Sequence, residues 1–294
     1  MILVIGSTGM VGSEVCRLLV SKNVQVRALV RTTSDNSKRD KLNVTGVQLF
    51  EGDLRNKSTF PEMLEGISTV ITTVSSMPFS YVPGQNDITK VDEEGVINLI
   101  DAAKKAGVKH FIYTSFSKNL DFDFPIRNAK RKVEKYLQNS GMNYTILRPG
   151  CFMEVWLSPA VGFDAMNGKV NIFGSGNNPV AYISLMDVAK FAVECVSNPN
   201  AVNSILELGG PASLSQLEAV KTFEEALNKK IDVQFVPAEG LQSQLDTAED
   251  PMQKSFTALM LCVANGDFID MKEILRKFPV RLTSVKEFAN QMVH

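Results

Sequence analysis

Histidine is almost missing from the chain: His110 and His294 are the two among 294 residues. A histidine-based site is therefore all but excluded. Cysteine is scarce and scattered, at Cys16, Cys151, Cys195 and Cys262. No two form a CxxC pair and none has a histidine nearby, so no metal is expected. Cys16 and Cys195 fall in apolar helical patterns and read as small core residues, which fits a reducing compartment. Neither sign of charge is in excess, since 31 basic and 32 acidic residues leave a net charge of −1. Nothing favours broad attraction to nucleic acid. The densest basic stretch, 127–135, is interrupted by Glu134 and reads as the solvated face of a helix. No apolar run approaches the ~18 residues a membrane helix requires. The start lacks the basic n-region of a signal peptide, and glycines break it. Repeats and low-complexity tracts are absent. A cytoplasmic protein is expected, with a small-molecule substrate, no nucleic-acid or membrane partner, and a monomeric or homodimeric state.

Hydrophobic residues make up 44% of the chain, enough for a large α/β core with a smaller lobe beside it. The organising stretch is the first dozen residues, MILVIGSTGMVG. Residues 2–5 form an apolar, β-branched run that reads as a buried strand. Gly6, Gly9 and Gly12 follow at three-residue spacing, and Val11, Val15, Leu18 and Leu19 then recur at helical spacing. A strand, a glycine turn and a helix in that order suit a dinucleotide: the backbone can approach a pyrophosphate, and the helix start offers free N–H groups and a positive dipole end. Gly6, Ser7, Thr8, Gly9, Met10, Val11 and Gly12 are the cofactor candidates here. Without a ligand, the same motif would be a tight strand-to-helix turn.

The pattern then repeats. Residues 24–30 form the second strand, ending at Arg31, where an NAD-preferring fold commonly carries an acid for the ribose hydroxyls. A guanidinium matches a 2′-phosphate, so NADP(H) is expected over NAD(H). Residues 47–50 form the third strand, leading to Asp53 and Leu54. Asp53 either accepts from an adenine amine or caps its own turn, and Leu54 would cover the ring. The fourth strand, 67–74, ends in Val74, Ser75 and Ser76, whose backbone would run beside the nicotinamide ribose. A loop at 77–85 holds Tyr81. A long helix spans 87–106 and ends at Gly107. The fifth strand (109–115), a helix (127–139) and the sixth strand (143–147) complete the alternation. The fold class is α/β: a Rossmann-type, doubly wound parallel sheet.

The alternation loosens after Pro149 and Gly150. Residues 151–176 carry Phe152, Met153, Glu154 and Trp156, and read as the wall of an apolar pocket or as packing between lobes. Helix 187–196 and strand 205–208 rejoin the main sheet. The expected division is a dinucleotide-binding domain at 1–150, rejoined at about 180–210, and a smaller, mostly helical substrate lobe at 151–294. Ser215 with Glu218 and Ser284 with Glu287 have capping-box spacing. Residues 231–235 alternate as a strand. The polar stretch 238–253 reads as a mobile lid or a surface segment. Tyr81, Phe116, Met153, Glu154 and Trp156 are the substrate-pocket candidates, and Pro149, Gly150 and Phe152 join the cofactor set.

The segments GSTGMVG, VDEEGVINLIDAAKKAGVKHFIYTS, AKRKVEKYLQNSGMNYTILRPG and YISLMDVAKFA resemble the NmrA-like branch of the atypical short-chain dehydrogenases. The resemblance is close to about residue 199 and looser beyond. It implies NADP(H) binding and relatives that reduce quinones, triphenylmethane dyes and isoflavones, besides a regulator that binds dinucleotide without turnover. The usual short-chain mechanism pairs a tyrosine with a lysine four residues later, aided by a serine. The resemblance places the lysine at Lys130, also a ribose ligand, and the serine at Ser115. The tyrosine position is Ile126, which exchanges no proton. Tyr113 and Lys118 lie five apart in another element and are no substitute. Three readings follow: hydride transfer to a quinone or another planar electrophile, with Lys130 or water supplying the proton; an NADP(H) sensor reporting to a regulatory partner; and, against Ile126, a sugar-nucleotide epimerase or reductase.

Overall fold

The computed structural model describes residues 1–77 and 80–293. Pro78 and Phe79, within the expected 77–85 loop, and the terminal His294 lie outside the described residues. Six strands appear in chain order: β1 (Ile2–Ile5), β2 (Val26–Val30), β3 (Gln48–Glu51), β4 (Thr69–Thr72), β5 (His110–Thr114) and β6 (Asn143–Pro149). Together with Ser204–Leu208 they form a seven-stranded sheet, in which β6 lies next to Ser204–Leu208 at one end, followed by β5, β4, β1, β2 and β3. Register is parallel throughout β1 to β6, with Ile2 opposite both Val26 and Thr69, and Thr72 opposite Tyr113. At the far edge Asn203 N–H donates to Tyr144 O and Gly150 N–H to Leu208 O, so this last pair also runs in one direction. All four residues of β1 are buried, as expected of a parallel sheet covered on both faces.

The chain winds outward in both directions from β1 and β4, and that reversal marks the place where open α/β sheets bind ligands, at the carboxyl ends of the strands. Helix α1 (Met10–Ser21) buries Val11, Val15, Cys16 and Leu19, as its periodicity requires. It hands over to β2 through Asn23 in the left-handed region, and Val24 N–H is taken by Leu19 O; β2 therefore starts two residues later than the apolar run. Helices α2 (Asn36–Asn43) and α3 (Phe60–Met63) follow β2 and β3, and α4 (Val96–Lys105) and α5 (Pro125–Asn139) flank β5. The expected single helix at 87–106 needs correction. Its first part, Ile88–Gly95, is a π-helix, and only from Val96 does the coil tighten. At Gly95 a side chain would meet Lys90 O at 2.9 Å and Leu54 Cβ at 3.2 Å, so glycine is required where the wide coil closes on its neighbour.

Two compact units emerge. The first comprises Met1–Ser115, Asn128–Leu147 and Val188–Leu206; the second comprises Phe116–Arg127, Arg148–Asp187 and Glu207–His294. Within the first, Leu3, Ile5, Leu29, Val70, Phe111 and Tyr113 from the strands pack with Val96, Leu99, Ile100, Val133 and Leu137 from α4 and α5.

Residues 116–127 belong to the second unit, although they fall within the 1–150 span of the first domain read from sequence. Ser117 Oγ and Asn119 Nδ2 both donate to Asp267 Oδ1, at 2.7 and 2.6 Å, and Ile126 N–H donates to Ser255 Oγ at 3.2 Å. This unit is less purely helical than expected. Lys169–Phe173 pairs parallel with Asp232–Val236 and antiparallel with Phe163–Asp164. The segment 238–253 is neither loop nor bare surface. It folds mostly into helix Ala238–Thr247, which buries Leu241 and Leu245 and packs on helix Pro251–Asn265. Both capping boxes form, at Ser215–Glu218 and Ser284–Glu287. All four cysteines are buried; burial pushes the Cys16 and Cys195 thiols up to about 12, consistent with small inert core residues.

Candidate functional site

The glycine turn leaves β1 at the reversal point of the sheet. Gly6 has φ +79°, a region other residues avoid, and a Cβ there would stand 2.9 Å from Thr73 Oγ1 and 3.0 Å from Val74 N. A Cβ on Gly12 would run into Gly6 O and sit 2.9 Å from Thr73 Oγ1. Gly9 N–H donates to Gly6 O at 2.9 Å, closing the turn, and Ser7 Oγ ties it to β2 through Leu29 O at 2.6 Å. Ser7 is thus wholly buried and offers no side chain to a ligand, whereas Thr8 and Met10 remain accessible. Helix α1 starts at Gly9 with no side-chain cap and no acid in its first turn. Its first N–H groups and the positive end of its dipole therefore meet no negative side chain of their own.

The neighbouring strand ends add polar groups on the same edge of the sheet. Arg31, after β2, donates from Nη1 to Asn86 Oδ1 at 2.8 Å, and its N–H reaches Ser34 Oγ at 3.2 Å. Asp53, after β3, caps its own turn by accepting Arg55 N–H at 2.9 Å, and its carboxylate is gripped by the Arg55 guanidinium. Burial pushes the Asp53 carboxyl up, but the hydrogen bonds and charge of Arg55, with the charge of Arg31, outweigh that and hold it below the usual range. Leu54 is buried beneath this turn. A cavity of about 990 Å³ opens beside it, lined among others by Asp53, Leu54, Arg55, Gln85, Lys90 and Lys132. Tyr81 lies half-buried in the following loop.

The end of β4 is tied to the π-helix and to α5. Ser76 is fully buried, and its N–H and Oγ both go to Asp92 Oδ2, at 3.0 and 2.6 Å. Lys130 does not lie on a solvated face: it is 2% exposed, with Nζ 3.0 Å from Val74 O and 3.3 Å from Asp92 Oδ1. The ammonium also stands 5.2 Å from the centre of the Tyr113 ring. The basic stretch 127–135 is divided among acids: Arg127 pairs with Asp121, Arg131 with Glu134 at 2.7 Å, and Lys132 with Glu93. Ser75 stays half-buried and accepts Met77 N–H at 3.2 Å. Ser115 is buried, with Oγ 3.4 Å from Arg131 Nη1 and no opening to solvent. Ile126 is fully buried. Tyr113 cannot supply the missing phenol, because burial, with Asp92 and Glu134 nearby, pushes its hydroxyl well above its ordinary range.

The sequence pattern of the NmrA-like family matches residues 1–289. The chain belongs to the NmrA-like family. Among curated relatives, an NAD(P)H azoreductase from Xenophilus azovorans is 34% identical over 79% of this chain and 75% of its own. The photosystem II assembly factor Ycf39 of Trieres chinensis is 31% identical over 80% of this chain and 72% of its own. Among solved structures, an NADPH-dependent quinone oxidoreductase from Escherichia coli, complexed with NADPH, aligns over 100% of both chains with a TM-score of 0.80 and 22% identity. The triphenylmethane reductase of Citrobacter sp. aligns equally fully, with a TM-score of 0.80 and 22% identity. These likenesses establish the Rossmann-type fold that the strand order shows.

In the second unit of this NmrA-like chain, the remaining candidates have mixed surroundings. At Gly150 a side chain would lie 2.5 Å from Ala181 O, so the glycine after Pro149 serves close backbone packing. Phe152 and Phe116 are half-buried, Met153 is fully buried, and Trp156 meets Phe173 edge-on at 6.3 Å between ring centres. Glu154 is turned to other work. Its carboxylate accepts Ser184 Oγ at 2.7 Å and Leu185 N–H at 3.0 Å, capping helix Leu185–Glu194.

Two acids missed by the sequence reading organise the units. Asp92 is fully buried and joins Lys130 to the 74–76 backbone. Its signal was present: an acid flanked at helical spacing by Ile88, Val91, Val96 and Leu99, all buried. Asp267, 1% exposed, is held by Ser117 and Asn119, and burial raises its carboxyl above the usual range. No local pattern joins residues 150 positions apart. No group of acids, histidines and cysteines suited to a metal ion occurs among the described residues.

Proposed function

We propose that this chain is an NADP(H)-dependent reductase acting on a quinone or another planar electrophilic small molecule. The observation that carries the reading is a glycine turn with no room for side chains, set beside a strand end bearing arginine where an acid would repel a 2′-phosphate. The space that a Cβ would fill at Gly6 and Gly12 is occupied by backbone and Thr73, so only glycine keeps the turn this tight at the start of α1, whose uncapped N–H groups suit a pyrophosphate. Residues 6–12 would hold the phosphates with backbone N–H groups. Arg31 would take the 2′-phosphate, Asp53 and Leu54 the adenine side, and Val74, Ser75 and Lys130 the nicotinamide ribose. Ser7 and Ser76 contribute through backbone and support, since their hydroxyls are spent on Leu29 O and Asp92. When bound, NADPH supplies the hydride.

A planar, conjugated acceptor spreads the charge it gains, so it depends less on a positioned acid than a simple ketone does. That suits a chain with Ile126 at the tyrosine position and Ser115 buried. Lys130 is the cationic group nearest the ribose-side backbone and would supply or orient the proton. The second unit would take the substrate, with Phe116, Phe152 and Trp156 as its partly exposed aromatic surfaces. The azoreductase and dye-reductase relatives support this substrate class, since azo and triphenylmethane dyes are likewise conjugated electrophiles.

A second reading has its own support. Lys130 is already paired with Asp92 and Val74 O, and one relative is described as an assembly factor. The protein would then bind NADP(H) and present its redox state to a protein partner. Purified protein incubated with NADPH and a panel of quinones and azo dyes separates the two. Loss of nicotinamide absorbance well above background supports the reductase; tight NADPH binding with no consumption across the panel overturns it in favour of the sensor.

A further inference from the structure

Arg55 links three features beside Arg31. Its N–H and Nε both donate to Asp53 Oδ1, at 2.9 and 2.8 Å, and its Nη2 donates to Asp53 Oδ2 at 2.5 Å. Its Nη1 donates to Gln85 O at 2.9 Å. Arg31 holds the next residue of the same loop, Asn86, through Oδ1 at 2.8 Å. Asn86 is buried and fixed in turn by donating to Ser80 O and Ser80 Oγ. The ends of β2 and β3 thus present two guanidinium groups that both act by charge on the Asp53 carboxylate, against one stretch of loop, with Asp87 also acting on Arg55.

Asp53 is ionised at neutral pH, and an unpaired carboxylate there would oppose a dianionic phosphate drawn to Arg31. A fork-on-fork guanidinium pair cancels that charge while keeping the carboxylate fixed in place. We propose that Arg55 is a specificity-determining residue for the 2′-phosphate of NADP(H), acting through Asp53: its two-pronged pairing neutralises the carboxylate that would otherwise repel the phosphate from Arg31. The proposal rests on the reading that Arg31 takes that phosphate. Arg55 is then a positioning residue, and the preference for NADPH over NADH is a property of three residues, Arg31, Asp53 and Arg55.

The test is direct binding of NADPH and NADH to the full chain, by calorimetry, without reference to turnover. Arg55→Ala should weaken NADPH about tenfold or more and NADH no more than about twofold. Arg55→Lys, which keeps the charge, should retain most of the preference. The double variant Arg55→Ala/Asp53→Asn should recover the wild-type preference to within about threefold, since no carboxylate is left to neutralise. Arg31→Ala is the control for the underlying reading: equal effects on both nucleotides would overturn the assignment of Arg31 and the proposal with it. A selective loss at Arg31 with equal losses at Arg55→Ala, or with no recovery in the double variant, would overturn the proposal alone. The Asp53 side chain is a quarter exposed, so the carboxylate that Arg55→Ala leaves unpaired still meets solvent; thermal melts of each variant check that the fold is intact.

Discussion

Helix α1 and the helix Gln216–Leu227 both begin straight after a strand and its turn, yet their first turns are finished in opposite ways. At Gln216–Leu227, Glu218 N–H donates to Ser215 Oγ at 3.1 Å and Ser215 N–H donates to the Glu218 carboxylate at 2.8 Å, so the end is closed by its own side chains. At α1 the corresponding position is Gly9, with no side-chain cap and no acid following. An N-cap side chain contributes on the order of 1 kcal/mol, so α1 forgoes stability that the other helix keeps. The open N–H groups at the start of α1 suit the anion of the proposed phosphate site.

Four substitutions sharpen or break that contrast. Gly12→Val should have the largest effect, because even a Cβ collides with Gly6 O; NADPH affinity measured by fluorescence should fall about a hundredfold or more. Unchanged affinity would mean that the turn does not face the nucleotide. Gly9→Asp comes next. The backbone there is extended, at φ −80°, and a Cβ would meet only Gly6 O, at 3.2 Å, so the new carboxylate should cap α1 and offset that contact, leaving the melting temperature of the free protein close to that of the wild type. NADPH affinity should nevertheless drop about tenfold, since the added charge competes with phosphate for the same N–H groups. Ser215→Ala should cost about 1 kcal/mol in urea denaturation with no change in nucleotide affinity.

Glu218→Gln should have the smallest effect, visible as a change of slope with pH. Hydrogen bonds from Ser215 N–H and hydroxyl hold the Glu218 carboxyl below the usual glutamate range. Its contribution is therefore complete above the unfolded-state pKa and is lost as pH falls through the lower folded-state value. The variant's acid melting curve should be flatter than that of the wild type across that window; a parallel curve would show that the box carries no charge-dependent stability.

Local features of the chain were legible where their causes are local. The β1 run, the glycine turn and Arg31 were readable because a strand end, a positive-φ turn and the residue after a strand depend on neighbours in sequence. The capping boxes were readable for the same reason, since each joins residues three apart. The parallel sheet followed from apolar runs spaced by helical stretches; β1 has its expected limits, whereas β2 starts two residues later because Leu19 O takes Val24 N–H.

The lysine cluster was misread because sequence shows a residue's type and periodic face, and not what the opposite wall supplies. Lys130 sits among Arg127, Arg131 and Lys132 and reads as solvated until Asp92, 38 positions earlier, is seen to face it from a π-helix. The partners of Glu154 and Ser76 are likewise non-local: Leu185 N–H donates to the Glu154 carboxylate, and Ser76 N–H and Oγ donate to Asp92. The sequence alone determined the alternation of strands and helices, the open glycine turn and the charge sign at the end of β2, because backbone sterics and local charge are encoded within a few residues. Tertiary structure alone decided which charges are spent on one another, because the electrostatic state of a buried lysine or aspartate is set by partners that only folding brings within a few ångströms.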